Sequence, residues 1–250
     1  MDRRKFVKSG FLSGPALAGI LSSDNSNEMS SKKQQWYELR TYLCPGEAQQ
    51  QQTGSWLEQT YLPALNHMGI KDVGVFTEYQ ASGKLYLLIP FDSIDSFVKS
   101  NGRQPYDNGE AAHPAYDRME SSLLKAFAHM PHIDVPEKKD RLFELRVYES
   151  PSEAAGQKKI EMFNEKGEID IFKKIGARPV FFGESVIGLR RPNLTYMLCF
   201  DNMEDHDARW KAFGSDPEWK TISALPEYSD AKLISKINRT FLTPTSYSQI

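Results

Sequence analysis

Tyr37-Glu38-Leu39-Arg40-Thr41-Tyr42 and Phe143-Glu144-Leu145-Arg146-Val147-Tyr148 are one stretch written twice, with the two glutamates 106 positions apart. Side chains of a strand alternate between its faces, so Glu, Arg and Tyr of each copy share one side. Tyr37/Phe143, Leu39/Leu145 and Thr41/Val147 share the other. That second side suits a hydrophobic core. The first is charged and aromatic, and a sheet face open to water has little need of the same Glu-x-Arg-x-Tyr in both halves. A lined interior cavity or a seam between two halves is therefore expected for it.

Around each copy the same order of elements recurs. In the first, Trp36 to Leu43 reads as a strand and Pro45-Gly46 turns the chain. Leu57, Tyr61, Ala64, Leu65 and Met68 then fall three or four apart, as in a helix, before a stop at Gly69. Ile70 to Tyr79 and Leu85 to Phe91 form a hairpin about Ala81-Ser82-Gly83. Asp92-Ser93 caps a helix carrying Ile94, Phe97 and Val98. Residues 101–114, with two Gly and two Pro, read as an inserted loop. Tyr116 to Phe127 reads as a further helical piece, and His129 to Val135 as a closing strand that Pro131 confines to an edge or a bulge.

Pro136 to Asp140 links the halves. The second copy runs through a strand at Leu142 to Glu149 and a helix carrying Ile160, Phe163, Ile169, Phe172 and Ile175, with a stop at Gly176. A hairpin of Pro179 to Ile187 and Leu194 to Phe200 follows, then a helix with Met203, Trp210 and Phe213, and a last strand at Lys232 to Leu242. Residues 243–250 read as an irregular tail. Each copy is thus βαββαβ, the ferredoxin-like order. The chain falls in the α+β class, as two tandem repeats at 36–136 and 141–242.

A ferredoxin-like sheet carries helices on one face only and leaves the other bare. Two such sheets in one chain bury apolar surface, at about 25 cal/mol per Å2, by closing their bare faces into an intrachain α+β barrel. The expectation drawn from this is that the Glu-x-Arg-x-Tyr strands line the inside of that barrel.

Several of these residues together resemble a known family. The strand Phe143-Glu144-Leu145-Arg146-Val147-Tyr148, the entry Gly176-Ala177-Arg178-Pro179 and the stretch from Trp210 to Trp219 are similar to the NIPSNAP family of dimeric α+β barrel proteins. The second half is similar throughout and the first is the more divergent copy. The resemblance implies the barrel fold. It transfers no general catalytic mechanism, and relatives in the wider superfamily include cofactor-free monooxygenases, haem-handling enzymes and small-molecule binders.

The first residues read as an address. Asp2-Arg3-Arg4-Lys5-Phe6-Val7-Lys8 matches a twin-arginine export signal. The apolar stretch after it, Gly10 to Leu21, contains Ala16-Leu17-Ala18 as a small-residue cleavage site and is too short and Gly/Ser/Pro-rich to span a membrane. A periplasmic or extracellular location is expected, with a disordered basic tail as the alternative. Residues 23–35 read as a flexible linker. The whole chain carries a net charge of -2; without residues 1–22, which hold four cations and one anion, it carries -5. With 26% charged and 40% hydrophobic residues and no basic stripe, the composition points away from nucleic acid as a partner. Cys44 and Cys199 are expected to stay unpaired, the second as a small buried hydrophobe.

For function, Glu38, Arg40, Tyr42, Glu144, Arg146 and Tyr148 are the candidate ligand-binding residues. One reading is a seam of buried ion pairs that fixes how the halves meet. The other is a polar pocket in which arginine holds an anionic or carbonyl-bearing ligand between tyrosine walls. No metal site is expected, since His129 and His132 are three apart on an expected strand and point to opposite faces. No cofactor is expected, with a haem on His67, His113, His129, His132 or His206 left as an alternative. No phosphate loop, dinucleotide fingerprint, zinc cluster or nucleophile elbow is present. The expectation is an exported small-molecule binder with its pocket between the repeats. A cofactor-free monooxygenase- or isomerase-like enzyme and a ligand-free interaction module are the alternatives, and homo-oligomers are compatible with each.

Overall fold

A computed structural model describes residues 33–101 and 114–250. The expected export signal, nearly all of the linker after it, His113 and most of the expected loop at 101–114 lie outside the described residues. The first repeat contains β1 (Trp36–Leu43), α1 (Glu47–Trp56), α2 (Leu62–His67), β2 (Gly74–Glu78), β3 (Lys84–Phe91), α3 (Ile94–Asn101) and β4 (Arg118–Ala126). The second contains β5 (Leu142–Glu149), α4 (Glu153–Glu165), α5 (Glu168–Lys174), β6 (Arg178–Ile187), β7 (Asn193–Phe200), α6 (Met203–Ser215), α7 (Pro217–Ser223), α8 (Asp230–Leu233) and β8 (Lys236–Pro244).

The sequence signals act locally as expected at several points. Gly69 and Gly176 both take a φ of 81°, the left-handed conformation that ends the helices before them. Asn202 caps α6 by accepting from the Asp205 N–H, and Asp216 caps α7 in the same way. The helix expected through Ile160 to Ile175 is instead broken at Gly167, whose φ of 88° separates α4 from α5. A π-helical turn, Leu57–Tyr61, joins α1 to α2 just before Pro63, which has no N–H to continue the ordinary ladder.

The strands close into a barrel in the order β1-β3-β2-β8-β5-β7-β6-β4. Each repeat contributes an antiparallel sheet of four, β4-β1-β3-β2 and β8-β5-β7-β6. The sheets meet edge to edge where β2 pairs with β8 and β4 with β6, so neither keeps a free edge. The expected intrachain α+β barrel is the observed fold.

One strand differs from its reading. Residues 118–126 form β4, not a helix, and 129–135 add only an isolated bridge, Phe127 to Met130. The neighbours Leu123 and Leu124 are both buried, one facing the helices and one the barrel interior. Where a strand is buried on both faces, as β4 is at Leu123 and Leu124, the alternation of apolar and polar residues is lost, and the remaining spacing mimics a helix.

Two kinds of core follow from closure. Inside the barrel lie Tyr37, Leu39, Tyr86, Leu88, Phe143, Leu145, Phe181, Met197 and Cys199. Outside it, Tyr42, Leu57, Tyr61 and Leu65 pack the first helical layer, and Tyr148, Phe163, Phe172, Tyr196 and Phe213 pack the second. The face expected to line the barrel is therefore the outer one, covered by helices. An eight-stranded barrel must fill its own interior with side chains, and the apolar side of the repeated stretch does so.

The aromatic pairs Phe76–Phe143 and Tyr37–Phe181, with ring centroids 5.0 and 5.1 Å apart, fill one end of the barrel. Residues 245–250 cover that end. Val73 N–H donates to Gln249 Oε1, Val75 N–H donates to Ser248 Oγ, and Ile250 is fully buried among the interior residues.

Candidate functional site

At the other end the inward-facing residues become small or polar, and the barrel opens into a cavity of about 590 Å3. Leu39, Thr41 and Leu43 of β1 line it, opposite Leu145 and Val147 of β5. Tyr86 and Lys84 of β3, Glu78 of β2, Arg118, Glu120 and Ser122 of β4, and Asn238, Arg239 and Thr240 of β8 complete the wall. Leu189 and Arg190, at the turn between β6 and β7, and Asn193 and Thr195 of β7 also line it. The floor is apolar and the rim is charged. A volume of this size is that of a small-molecule site.

Electrostatics divides the rim. Lys84 Nζ is 2.9 Å from Glu78 Oε1, Arg118 Nη2 is 2.9 Å from Glu120 Oε1, and Arg190 Nε is 4.0 Å from Glu149 Oε1. Arg239, opposite Arg146 in the β5–β8 ladder, is exposed on the outer side of the wall and has no ion-pair partner among the described residues. Cations therefore exceed carboxylates in the lining.

Burial works against the Glu78 charge, but the Tyr86 hydroxyl, donating at 2.5 Å, and Lys84 outweigh it and hold the carboxyl below its ordinary value. Burial first, and Glu78 second, push the Tyr86 phenol up. A depressed carboxyl adds stability above its unfolded value of about 4.3, and this is lost as pH falls through the lower folded value. Glu78→Gln is expected to remove that part of the acid-side decline in an unfolding titration across this window. An unchanged acid profile would show that the Tyr86–Glu78–Lys84 contacts do not hold in solution.

The six residues singled out from the sequence form two clusters on the outer face of the barrel. In the first repeat, Arg40 grips Glu38 through Nε–Oε1 at 2.7 Å and Nη2–Oε2 at 2.9 Å. Ser121 Oγ donates to the same carboxylate at 2.8 Å, and the guanidinium lies over the Tyr61 ring. Tyr42 is buried beside it. In the second repeat, Glu144 is fully buried and accepts from Arg146 Nη1 at 3.0 Å and Trp210 Nε1 at 2.8 Å, with His206 Nε2 at 3.3 Å. Arg146 stacks on Trp210 at 4.2 Å, and the Tyr148 and Tyr196 hydroxyls meet at 2.9 Å.

None of the six lines the cavity, and among the described residues the contacts of each cluster stay within its own repeat. Each cluster ties one sheet to its own helices. The seam between the halves is made instead by the β2–β8 and β4–β6 ladders. The physical reason is that both faces of β1 and β5 are buried, so burial of the charged side did not make it the inner side.

The residues missed were on the opposite side of the same stretch. Going along β1 and β5, the inward positions pass from Tyr37 and Phe143 through Leu39 and Leu145 to Thr41 and Val147. That taper toward small side chains was the available signal for a cavity at one end.

The histidines are dispersed. His67 contacts Pro63 O, His129 meets Asp170 at 2.9 Å, His132 is exposed and His206 belongs to the Glu144 cluster. No group of three or more His, Cys, Asp or Glu among the described residues is placed to hold a metal ion. Cys44 and Cys199 are free thiols, and burial pushes the second up to about 11. No helix among the described residues is long and apolar enough to cross a membrane.

Comparison with known proteins bears on the fold. Residues 143–249 match the NIPSNAP family model. An anthrone oxidase-like protein of known structure aligns with a TM-score of 0.58 at 10% identity, over 86% of this chain and 93% of its own. A proposed monooxygenase from Lactobacillus acidophilus NCFM aligns with a TM-score of 0.57 at 11% identity, over 84% of this chain and 94% of its own. A NIPSNAP-like domain protein from Burkholderia xenovorans, 20% identical, covers 44% of this chain and 89% of its own with a TM-score of 0.39. No curated protein matches the sequence.

Proposed function

We propose, from the premise that residues 143–249 of this chain are a NIPSNAP domain, that the protein is an exported binder of a small amphiphilic anion held at the barrel mouth between the repeats. The observation that carries the reading is the cavity of about 590 Å3, whose lining comes from both repeats. Leu39, Leu145 and Val147 offer an apolar floor for a ligand body. Lys84, Arg118 and Arg190 at the rim favour a carboxylate, sulfonate or phosphate head. Export rests on the Arg3-Arg4 signal of the sequence.

The names of the structural neighbours carry no oxidase activity over to this chain. At 10 and 11% identity they share the fold, and a fold alone does not carry a reaction.

The test uses 1-anilinonaphthalene-8-sulfonate, which pairs an aromatic body with a sulfonate. Thr41→Trp places a large ring in the cavity, and probe affinity is expected to fall about tenfold or more, about 1.4 kcal/mol. Arg190→Gln is expected to weaken the anionic probe by a few fold while leaving N-phenyl-1-naphthylamine, its uncharged counterpart, unaffected. Full probe affinity in a folded Thr41→Trp protein would refute binding at the mouth.

A further inference from the structure

The end of the barrel that holds the cavity carries exposed apolar and cationic side chains, of which Ile187, Arg191 and Lys236 lie outside the cavity lining and are not required by ligand binding. Ile187 and Leu189, beside the β6–β7 turn, are 65% and 48% exposed, and Ile237 at the start of β8 is 41% exposed. Asn193 and Lys236 both pair with Glu149, so the turn and the start of β8 stand on either side of β5, about 10 Å apart by the usual strand spacing. The apolar side chains thus flank the cavity entrance from two directions.

Charge is concentrated at the same place. Arg118 and Arg190 are engaged by Glu120 and Glu149. Arg191, Lys236 and Arg239 are exposed and have no ion-pair partner among the described residues. Among the described residues Asp117, just before β4, is a carboxylate of this rim without an ion-pair partner, and the chain as a whole is net negative. A local cationic, apolar rim on an acidic protein is a directed feature.

We propose that this end of the molecule docks on a phospholipid surface bearing anionic headgroups, from which the cavity takes up its amphiphile or to which it returns it. Few apolar side chains set among long cations, raised around a concave opening, do not offer the flat, closely packed patch that a protein partner needs. A fluid lipid surface requires no such shape match. Apolar insertion and attraction to anionic lipid act together there, and each alone is weak. The inference rests on the barrel-mouth reading above.

The experiment is co-sedimentation of the full chain, in its exported form, with vesicles of phosphatidylcholine and with vesicles in which a third of it is replaced by phosphatidylglycerol. Binding to the anionic vesicles is expected, together with a fall as salt is raised, because exposed charges are screened. Ile187→Asp and Lys236→Glu, neither of which lines the cavity, are each expected to lower vesicle affinity about tenfold. Both are expected to leave binding of the anilinonaphthalene probe in solution unchanged.

Wild-type protein that stays in the supernatant with anionic vesicles at low salt would overturn docking. So would Ile187→Asp and Lys236→Glu proteins that sediment like wild type. Probe binding without vesicle binding removes docking and keeps the mouth reading. Vesicle binding with no probe binding removes the mouth reading and keeps docking.

Discussion

Glu144→Ala is expected to lower the stability of the folded chain by about 3–5 kcal/mol, the usual cost of breaking a buried ion pair from one side. Glu144 is fully buried and serves the Arg146 guanidinium and the Trp210 indole at once, with His206 alongside. Its removal leaves a buried positive charge whose Nε already has no hydrogen-bond partner among the described residues. The pair itself is a different matter from its breakage. Taking two charges out of water costs about as much as their attraction returns, so Glu144→Leu combined with Arg146→Met is expected to recover most of the loss. Urea unfolding of the wild type and both variants gives the comparison. A Glu144→Ala protein within about 1 kcal/mol of wild type would mean that water reaches this cluster, and that it does not tie the sheet to α6.

Ile250→Ala is expected to cost about 3 kcal/mol, within the range for removing a buried Ile side chain. Ile250 is fully buried against the barrel interior, and its carbonyl accepts from Arg141 Nη2 and from Ser248 Oγ. Ser246 is exposed, and Ser246→Ala is expected to change stability by less than about 0.5 kcal/mol. Thermal and urea unfolding of the two variants would separate a structural plug from a loose tail. Equal, negligible effects would restore the reading of 243–250 as irregular surface. Because Ile250 lies at the filled end, Ile250→Ala is also expected to leave probe binding at the mouth unchanged.

The two predictions concern the regions where sequence and structure part. The repeated stretch announced burial of Glu38, Arg40, Glu144 and Arg146 correctly, and the structure buries all four. It did not announce which side of the sheet they occupy. Alternation has a period of two and assigns residues to two sides, but it names neither side as inner. When helices cover one side and the barrel closes on the other, apolar and polar residues alike become buried. The same double burial, at Leu123 and Leu124, hid the second half of β4.

Local signals were legible for local reasons. Gly69 and Gly176 end helices because the left-handed backbone they adopt is open to glycine at no steric cost. The tail at 245–250 gave no such signal, since its hydrogen bonds go to Val73 and Val75, far away along the chain. The cavity was legible only as a gradual shrinking of inward residues, from Tyr37 to Thr41 and from Phe143 to Val147.

By itself the sequence determined that two βαββαβ repeats exist, that their bare faces must find cover, and that a closed α+β barrel supplies it. Those conclusions depend on composition and spacing along the chain, which are properties of short segments. Only the tertiary structure decided which face looks inward, which end of the barrel is filled and which is open, and that residues 245–250 seal the filled one. Such choices are set by contacts between residues tens to hundreds of positions apart, and spacing along a chain carries no record of them.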